Sequence, residues 1–350
     1  MDPYLTRSRR APLALLTLLA IVAGACGGPA ATRSPAGAAT ASPGGGAASP
    51  SAAATEDATG PSAPPSGGGA VDLTGASFTV GSKEFTEQLI LGEITVQMLE
   101  SAGATVDNQV GLIGSDVVRG ALTSGDLDMY WEYTGTGWIN HLGNTTPVIG
   151  TEEQYVAVRD ADAANGIVWL EPAPLNNTYA IAVASETATE LSSLTTLSDL
   201  AAYANENADG ATLCAASEFQ TRDDGLPLFQ TAYGFEFSDV ATVELGLIPD
   251  QIDKGETCVF GEVFATDSRM AALGLTVLED DLALLPVYEP SLNVRQEAFD
   301  ANPGLADLFA PVAAALDTVT MTGLNSKVDQ GGENEADVAA QFLQGLGIGE

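Results

Sequence analysis

The chain has 350 residues and a formal net charge of −35, from 47 acidic residues against 12 lysines and arginines. So acidic a surface repels phosphate backbones and anionic lipid headgroups, which argues against nucleic acid and anionic membranes as partners. Because lysines and arginines are so few, any of them that lies within a motif is a candidate functional residue. Eight lysines and arginines follow residue 70: Lys83, Arg119, Arg159, Arg222, Lys254, Arg269, Arg295 and Lys327.

Residues 1–26 have the pattern of an export signal. Arginines precede an apolar run from Ala11 to Val22, and Ala23-Gly24-Ala25-Cys26 follows. The run is shorter than the about 20 residues that a membrane-spanning helix needs. Small residues directly before a cysteine resemble a bacterial lipobox, so we predict a lipoprotein signal peptide with lipidation at Cys26. The alternative is ordinary signal-peptide cleavage with an incidental cysteine.

Residues 27–70 consist almost wholly of Ala, Gly, Pro, Ser and Thr. Such a segment buries too little apolar surface to offset its ordering entropy, so we predict a disordered linker. A linker of this kind suits a domain held at the outer face of the bacterial cell membrane by its lipid anchor alone. Residues 71–350 are numerous enough to form a core and predict two lobes.

Strand and helix patterns alternate along residues 71–350, which predicts an α/β fold with a largely parallel sheet. Thr86 is the expected N-cap of the first helix and Gly103 its stop. The predicted strands are Phe78–Val80, 106–110, 126–133, 176–186, 212–219, one within 258–267 and one within 276–295. The predicted helices are 86–103, 116–123, 195–210, one opening within 223–235, 303–316 and 333–346.

The stretch YWEYTGTG, residues 130–137, places three large aromatic rings and a carboxylate before small residues. In a strand, Trp131 and Tyr133 share one face while Tyr130 and Glu132 share the other. We interpret Tyr133 as a ligand contact at the end of the strand, and Tyr130 and Trp131 as core residues that support it.

No residue pattern indicates catalysis. His141 is the only histidine, which leaves no second ligand for a histidine-based zinc site and no ordinary Ser-His-Asp triad. Neither a GxxxxGK[ST] nor a GxGxxG motif follows a strand. The pairs Asp223-Asp224 and Asp280-Asp281 are expected by chance in an acidic chain. We therefore expect no catalytic residue, no cofactor and no bound metal.

Two cysteines remain once Cys26 is assigned to the lipid. Cys214 and Cys258 are then a pair in an oxidising compartment, which favours a disulfide. Because the bridge closes 44 residues, it would stabilise the fold by about 4 kcal/mol in the loop-entropy model. The alternative is two separately buried thiols.

Several residues, among them aromatic and cationic ones, stand where predicted strands end, which is where α/β proteins bind ligands. They are Lys83, Tyr133–Thr136, Tyr179, Glu218-Phe219, Arg222, Phe264, Asp267 and Tyr288. Ring faces together with two of the rare cations fit a zwitterion that has a bulky cationic head and an anionic tail.

Six blocks in order along the chain resemble the glycine betaine/choline/carnitine substrate-binding proteins of ABC importers. The blocks are VGSKEFTEQLILGEI, GDLDMYWEYTGTG, NNTYAIAV, SEFQTRDDGLP, FATDSRMAAL and VYEPSLNVR. The resemblance, from about Phe78 to the C-terminus, implies a type II periplasmic-binding-protein fold with two α/β lobes and two crossover strands. Lobe I would comprise residues 71–176 and 285–350, and lobe II residues 177–284. The implied partners are an ABC permease and ATPase, and we expect a monomer.

The resemblance also implies roles for single residues. Rings that surround a quaternary ammonium group match Tyr133, Tyr179, Phe264 and Tyr288, with Phe264 where a tyrosine is usual. Groups that hold the ligand carboxylate match Lys83, Thr136 and Arg222, and the backbone carbonyl near Asn177 would face the methyl groups. Phe264 keeps a ring face but lacks a hydroxyl, so we expect it to shift selectivity without abolishing binding.

Three functions are compatible with these residues. The first is a receptor for a betaine-type osmolyte, with glycine betaine as the expected ligand. The second is a receptor for choline or carnitine on the same fold, although Lys83 and Arg222 favour a ligand with a carboxylate over choline. The third, a secreted enzyme, requires catalytic residues that the sequence does not offer.

Overall fold

The computed structural model describes residues 71–184, 191–207 and 209–348, which form two β-sheets with flanking helices. The predicted signal peptide, the lipidation site Cys26 and the predicted linker lie outside the described residues. The strands are β1 Ser77–Lys83, β2 Thr105–Leu112, β3 Met129–Tyr133, β4 Ile167–Trp169, β5 Tyr179–Ala184, β6 Thr212–Ala215, β7 Asp239–Thr242, β8 Phe260–Phe264, β9 Leu275–Leu278 and β10 Pro290–Arg295.

Helices pack on both sheets. They are α1 Thr86–Ser101, α2 Ser115–Ser124, α3 Thr134–Thr136 with a π-helical turn at Gly137–His141, α4 Thr151–Asp162, α5 Leu197–Glu206, α6 Leu226–Tyr233, α7 Ile248–Lys254, α8 Arg269–Ala272, α9 Gln296–Ala301, α10 Leu305–Ala315, α11 Thr318–Asp329 and α12 Glu335–Gly345. Short 3₁₀ turns lie at Ala163–Asn165, Leu191–Ser193 and Leu245–Leu247. Within the described residues, no single helix is long and apolar enough to cross a membrane, and only α10 with α11, a pair bent by 84°, meets that test by length and composition.

The two sheets have the same topology, with five strands each and the antiparallel strand in the fourth place. The first has the order β2-β1-β3-β10-β4, in which β10 runs antiparallel to both neighbours and β1 is parallel to β2 and β3. The second has the order β7-β6-β8-β5-β9, with β5 as the antiparallel strand. The predicted α/β architecture is confirmed, and each sheet is mixed because one strand runs antiparallel to both of its neighbours. We call the first sheet with its helices lobe I and the second lobe II.

The chain crosses between the lobes twice, from β4 to β5 and from β9 back to β10. The predicted lobe limits, after residues 176 and 284, fall within these connections. Antiparallel pairing places Tyr179 opposite Phe264 in lobe II, and Tyr133 opposite Pro290 in lobe I. The strand ends that carry the predicted ligand contacts therefore lie beside the crossovers.

Two sequence predictions for the C-terminal part are wrong. The stretch 276–295 contains two strands in different lobes, β9 and β10, where one was predicted. Helix α11 was not predicted, because its threonines and Gly323 are weak helix formers and mask a periodic pattern. Asp317 starts this helix by accepting a hydrogen bond from the Thr320 backbone N–H (2.7 Å).

Tyr130 and Trp131 lie in the core, as predicted. Trp131 is 1% exposed, and its Nε1–H donates to Thr95 Oγ1 on α1 (2.9 Å). Tyr130, on the opposite face of β3, is fully buried and donates its hydroxyl to Glu132 (2.8 Å). Both rings therefore fix the end of β3, where Tyr133 stands.

Cys214 and Cys258 are joined by a disulfide with a Cα–Cα distance of 5.5 Å. The bridge connects the buried middle of β6 to the residue two before β8. Closing a loop of 44 residues, it stabilises lobe II by about 4 kcal/mol in the loop-entropy model.

Candidate ligand-binding site

A cavity of about 430 Å³ lies between the lobes, and both lobes contribute to its walls. Its volume falls within the range of small-molecule sites, about 300–1,000 Å³. The eight residues predicted as ligand contacts all line it: Lys83, Tyr133, Thr136, Asn177, Tyr179, Arg222, Phe264 and Tyr288. The structure thus brings together side chains that lie up to 205 positions apart in the sequence.

Five aromatic rings form a continuous group in the cavity wall. The Tyr179 ring centroid lies 5.2 Å from that of Phe264 and 6.1 Å from that of Tyr288. Phe85, which was not predicted, connects this group to Tyr133: its centroid lies 5.1 Å from Phe264 and 6.3 Å from Tyr133. We call Phe85, Tyr133, Tyr179, Phe264 and Tyr288 the aromatic cage.

The cage is flanked by the two predicted cations. Lys83 Nζ lies 5.2 Å from the centroid of the Tyr133 ring, and Arg222 Cζ lies 5.5 Å from that of Tyr179. Both cations are buried, at 4% and 5% exposure. A buried cation needs an anionic partner, and each of the two has one inside the protein.

Glu132 is the partner of Lys83. Its carboxylate accepts hydrogen bonds from Lys83 Nζ (2.7 Å), the Tyr130 hydroxyl and the Tyr133 backbone N–H, and it lies 2.8 Å from His141 Nε2. Burial alone would raise the pKa of Glu132, but Lys83 and His141 outweigh it and hold the pKa well below its usual range. An ionised Glu132 therefore fixes Lys83 at the cavity wall.

Arg222 is held by two carboxylates. It donates from Nε and Nη2 to Asp224 (2.7 and 2.6 Å) and from Nη1 to Glu218 (2.8 Å), and Nη2 also donates to Thr136 Oγ1 (3.3 Å). Burial opposes the charge, yet Tyr179, Asp224 and Glu218 raise the pKa of Arg222 well above its ordinary value. Four of the five guanidinium N–H groups are thereby used, which leaves one on Nη1.

Asp224 also orients a ring of the cage. It accepts the Tyr288 hydroxyl at Oδ2 (2.7 Å) while it binds Arg222. Asp224 is 1% exposed, so its charge is compensated within this cluster. The sequence suggested only that Asp223-Asp224 was a chance pair. Asp224 lies two residues after Arg222 in the stretch TRDDG, and this spacing could have indicated its role.

Glu87, at the start of α1, is a buried carboxylate without a cationic partner among the described residues. Tyr133 and Asn177 donate to its Oε1 (2.7 and 2.9 Å), and Thr266 and Asn325 donate to its Oε2 (2.7 and 3.4 Å). Burial raises the pKa of Glu87, and these hydrogen bonds oppose the rise. Glu87 therefore fixes the Tyr133 ring in the cage.

Asn177, at the first crossover, makes hydrogen bonds in the site through both its side chain and its backbone. Its amide donates to Glu87, and its backbone N–H donates to the Tyr288 carbonyl oxygen (3.0 Å). The predicted role of a backbone carbonyl near Asn177 stays a prediction.

Thr86 does not cap α1, which corrects the sequence prediction. Phe85 occupies the N-cap position without a side-chain hydrogen bond. Thr86 instead donates its hydroxyl to Asp329 at the end of α11 (2.6 Å). This contact and the one from Asn325 to Glu87 place α11 against the cavity. Because α11 was not predicted, neither of these two contacts could be predicted from the sequence.

Polar contacts join the lobes on both sides of the cavity. Thr266 of lobe II donates to Glu87 of lobe I, and Glu218 of lobe II accepts the backbone N–H of Ser115 at the start of α2 (3.0 Å). Although burial raises it, Lys83, Arg222 and the Ser115 N–H lower the pKa of Glu218 to about 2. Glu218 is thus an ionised contact across the cleft.

The cavity wall carries an excess of negative charge. Seven acidic and three basic residues line it: Glu84, Glu87, Glu218, Glu244, Glu262, Asp267 and Asp329 against Lys83, Arg222 and Arg269. Burial raises the pKa of Glu262 to about 8, so at neutral pH this carboxyl is protonated and the other six acidic and three basic residues carry a formal charge of −3. No group of three or more His, Cys, Asp or Glu within the described ranges is arranged to hold a metal ion. Such a wall favours a positively charged ligand group.

The glycines of YWEYTGTG allow close packing around the cage. A Cβ atom on Gly135 would lie 2.6 Å from Cδ1 and Cε1 of the Tyr288 ring, and one on Gly137 would lie 2.6 Å from the Trp169 ring. Only glycine leaves room for these rings. The stretch therefore supplies one cage ring, Tyr133, and space for another.

Replacing Gly135 by alanine is expected to displace the Tyr288 ring and to cost about 1–3 kcal/mol of stability, as overpacking does. The measurement is the free energy of unfolding by urea. Gly120→Ala on α2 is the control, because a methyl group there meets nothing within 4 Å. A Gly135→Ala protein as stable as the Gly120→Ala protein would contradict the close packing.

These features define a class: a two-lobed α/β substrate-binding protein of the type II periplasmic-binding-protein fold, whose site lies between the lobes. The chain belongs to the family described as the substrate binding domain of the ABC-type glycine betaine transport system (OpuAC), whose model matches residues 76–345. Members of this family bind solutes and are not enzymes.

Similar proteins include two curated relatives. The glycine betaine-binding protein YehZ of Escherichia coli K12 is 38% identical over 278 residues, covering 77% of this chain and 90% of its own. A glycine-betaine-binding protein of Pseudomonas aeruginosa PAO1 is 38% identical over 274 residues, covering 76% and 86%. The solved structure of apo YehZ from E. coli superimposes with a TM-score of 0.58 at 35% identity, covering 78% of this chain and 99% of that one.

Proposed function

We propose that the chain captures a quaternary ammonium compound outside the cytoplasm and delivers it to an ABC permease and ATPase for osmoprotectant uptake, with glycine betaine as the first candidate. The aromatic cage in an acidic cavity is the observation that supports this function. A quaternary ammonium group has no N–H to donate, so ring faces must replace its water. Each face contributes about 0.5–2 kcal/mol.

The carboxylate of the ligand would lie at the cationic side of the cage. Lys83 keeps two N–H groups beyond its bond to Glu132, Arg222 keeps one on Nη1, and Thr136 keeps its hydroxyl hydrogen. Charge-assisted hydrogen bonds contribute about 1.5–3 kcal/mol each. Against an association cost of about 4–15 kcal/mol, a net of about −8 kcal/mol gives a micromolar affinity.

Choline is the second candidate, and the ion pairs that Lys83 and Arg222 form with carboxylates of the protein favour it. Lys83 is compensated by Glu132, and Arg222 by Asp224 and Glu218, so neither presents a full free charge to a carboxylate. Carnitine would use the same cage and carboxylate contacts with a longer chain. A ligand with a carboxylate requires a hydrogen bond from Arg222, whereas choline does not.

The remaining parts of the proposal concern the chain outside the site. Lipidation at Cys26 would hold a monomer at the outer face of the membrane, and the linker of residues 27–70 would let the two lobes reach the permease. Residues 71–176 and 285–350 would form lobe I and residues 177–284 lobe II.

Calorimetric titration of the full-length protein in detergent with glycine betaine, choline, carnitine and proline tests the function. We expect micromolar binding of at least one quaternary ammonium compound and no binding of proline, which has no methylated ammonium group. Absence of heat with all three ammonium compounds, on protein with a cooperative thermal transition, would reject the ligand class.

Arg222→Ala separates the two leading ligands. If Arg222 holds a carboxylate, the variant should lose about tenfold more affinity for glycine betaine than for choline, since one charge-assisted hydrogen bond is worth about 1.5 kcal/mol or more. Any displacement of Tyr288 through Asp224 affects both ligands and cancels in the ratio. Equal losses, read from the same titrations, would exclude a carboxylate at Arg222.

A further inference from the structure

Glu262 is a buried carboxylate in the cavity wall that the function described so far does not use. It lies on β8, two residues before Phe264 of the aromatic cage, and is 2% exposed. Residues two apart on a strand point to the same face, so the side chains of Glu262 and Phe264 both face the cavity. Their Cα atoms are about 7 Å apart along the strand.

One hydrogen bond holds this carboxylate. The backbone N–H of Ala216, just after β6, donates to Glu262 Oε2 (2.7 Å). The other oxygen, Oε1, has no hydrogen-bond partner among residues 71–184, 191–207 and 209–348. No lysine or arginine of those ranges forms an ion pair with Glu262. The side chain is therefore an incompletely paired carboxyl group that faces an open space.

Three other buried or half-buried carboxylates of the wall have hydrogen-bond partners at both oxygens. Glu87 accepts from four donors, and both oxygens of Glu218 have partners, Arg222 and the Ser115 N–H. Asp267 accepts from Arg269 at both oxygens. The open oxygen of Glu262 thus differs from these three carboxylates and marks a place for a ligand group.

Burial raises the pKa of Glu262 to about 8, so in the empty site the carboxyl holds a proton at neutral pH. A ligand donor that reaches Oε1 favours the ionised form and displaces that proton, and the acidic wall favours a donor of positive or neutral charge. The ammonium group cannot serve, because it has no N–H and is held by rings. The donor must belong to another part of the ligand, toward the lobe II side of the cage.

We propose that Glu262 accepts a hydrogen bond from an O–H or N–H group of the ligand, so that the site selects quaternary ammonium compounds that carry such a donor over those, like glycine betaine, that carry none. The inference rests on the proposed function and refines its ligand class. Glu262 is then a specificity-determining residue. A site built to bind a donor discriminates strongly against an analogue that lacks it, because its own polar group stays unpaired.

Two pairs of matched ligands test this inference. L-Carnitine and γ-butyrobetaine differ by one hydroxyl, and histidine betaine and phenylalanine betaine differ by a ring N–H. Calorimetric titration of the full-length protein in detergent should show the donor-bearing member of at least one pair binding about tenfold tighter. In Glu262→Gln, the amide oxygen can keep the Ala216 contact while its NH₂ group faces the cavity, so the preference should fall to about twofold or less.

The ligands without a donor report whether the site is intact. Their affinities should change little in Glu262→Gln, and Glu256→Gln, on the exposed surface of lobe II, should retain the wild-type preference. Equal affinities within both pairs for the wild type would overturn the inference while leaving the proposed function standing. A preference that survives in Glu262→Gln would also overturn it. Failure of all four ligands to bind, while glycine betaine or choline binds, would also overturn the inference. Failure of all six compounds would instead reject the proposed function.

Discussion

Replacing Tyr179 by leucine is expected to weaken glycine betaine binding about 30-fold. Tyr179 is the central ring of the cage: it contacts Phe219, Phe264 and Tyr288, and Arg222 lies over it. It is 8% exposed, so a cation at its face is largely desolvated. A desolvated cation–π contact is worth about 2 kcal/mol or more, and about 1.4 kcal/mol corresponds to a factor of ten.

Tyr179→Phe is the matched control. The Tyr179 hydroxyl makes no side-chain hydrogen bond within the described part of the chain, so phenylalanine keeps the ring face and should bind within about threefold of the wild type. The measurement is calorimetric titration of both variants, with thermal unfolding to show that each is folded. If leucine and phenylalanine at this position bind alike, the ring does not contact the cation, and the cage is not the ammonium site.

The sequence predicted the parts of the site that follow from local patterns. Tyr133 and Lys83 stand at strand ends, and a strand's end can be read from period-two alternation followed by small residues. Arg222 was conspicuous because the folded part has only eight lysines and arginines. All eight predicted contacts line one cavity, although their roles toward a ligand stay predictions.

The anions that hold those residues could not be predicted in the same way. Glu132, Asp224 and Glu87 are three among 47 acidic residues, and only the folded chain shows which of them are buried. Glu87 meets Thr266 and Asn325 across 179 and 238 positions. Such distances are bridged by the tertiary structure, which a local pattern does not contain.

Glu262 was not predicted as a site residue, although the sequence contained a pattern that indicates it. The alternation Phe260, Glu262, Phe264 on one face of a strand places a carboxylate between two large apolar residues. An acidic residue on the face that carries a cage ring is unusual, since charged residues are rarely buried without a partner. Attention to both neighbours of Phe264 along the strand would have identified it.

Three carboxylates share the task of positioning the site. Glu132 fixes Lys83, Asp224 fixes Arg222 and Tyr288, and Glu87 fixes Tyr133. Rings and cations held in this way lose little rotamer freedom when a ligand arrives, which lowers the entropic cost of binding. The buried carboxylates of the site therefore preorganise its rings and cations.

The stability of the ligand-free protein should depend on Glu262 in a pH-dependent manner. Burial raises the pKa of Glu262 to about 8, and Glu218 adds to the rise while the Ala216 N–H and Arg222 oppose it. In the unfolded chain the same carboxyl has a pKa near 4.5. Between these values the folded state holds a proton that unfolding releases, so stability falls as the pH rises through this window.

Glu262→Gln cannot ionise and lacks this loss. Its free energy of unfolding should therefore match that of the wild type near pH 4.5 and exceed it by several kcal/mol at pH 9, because each unit of pKa difference corresponds to about 1.4 kcal/mol. Urea unfolding of both proteins from pH 5 to pH 9 measures the difference, in which the other titrating groups cancel. A difference that stays constant over this range would mean that Glu262 is ionised throughout, with a partner that compensates its charge in the folded protein.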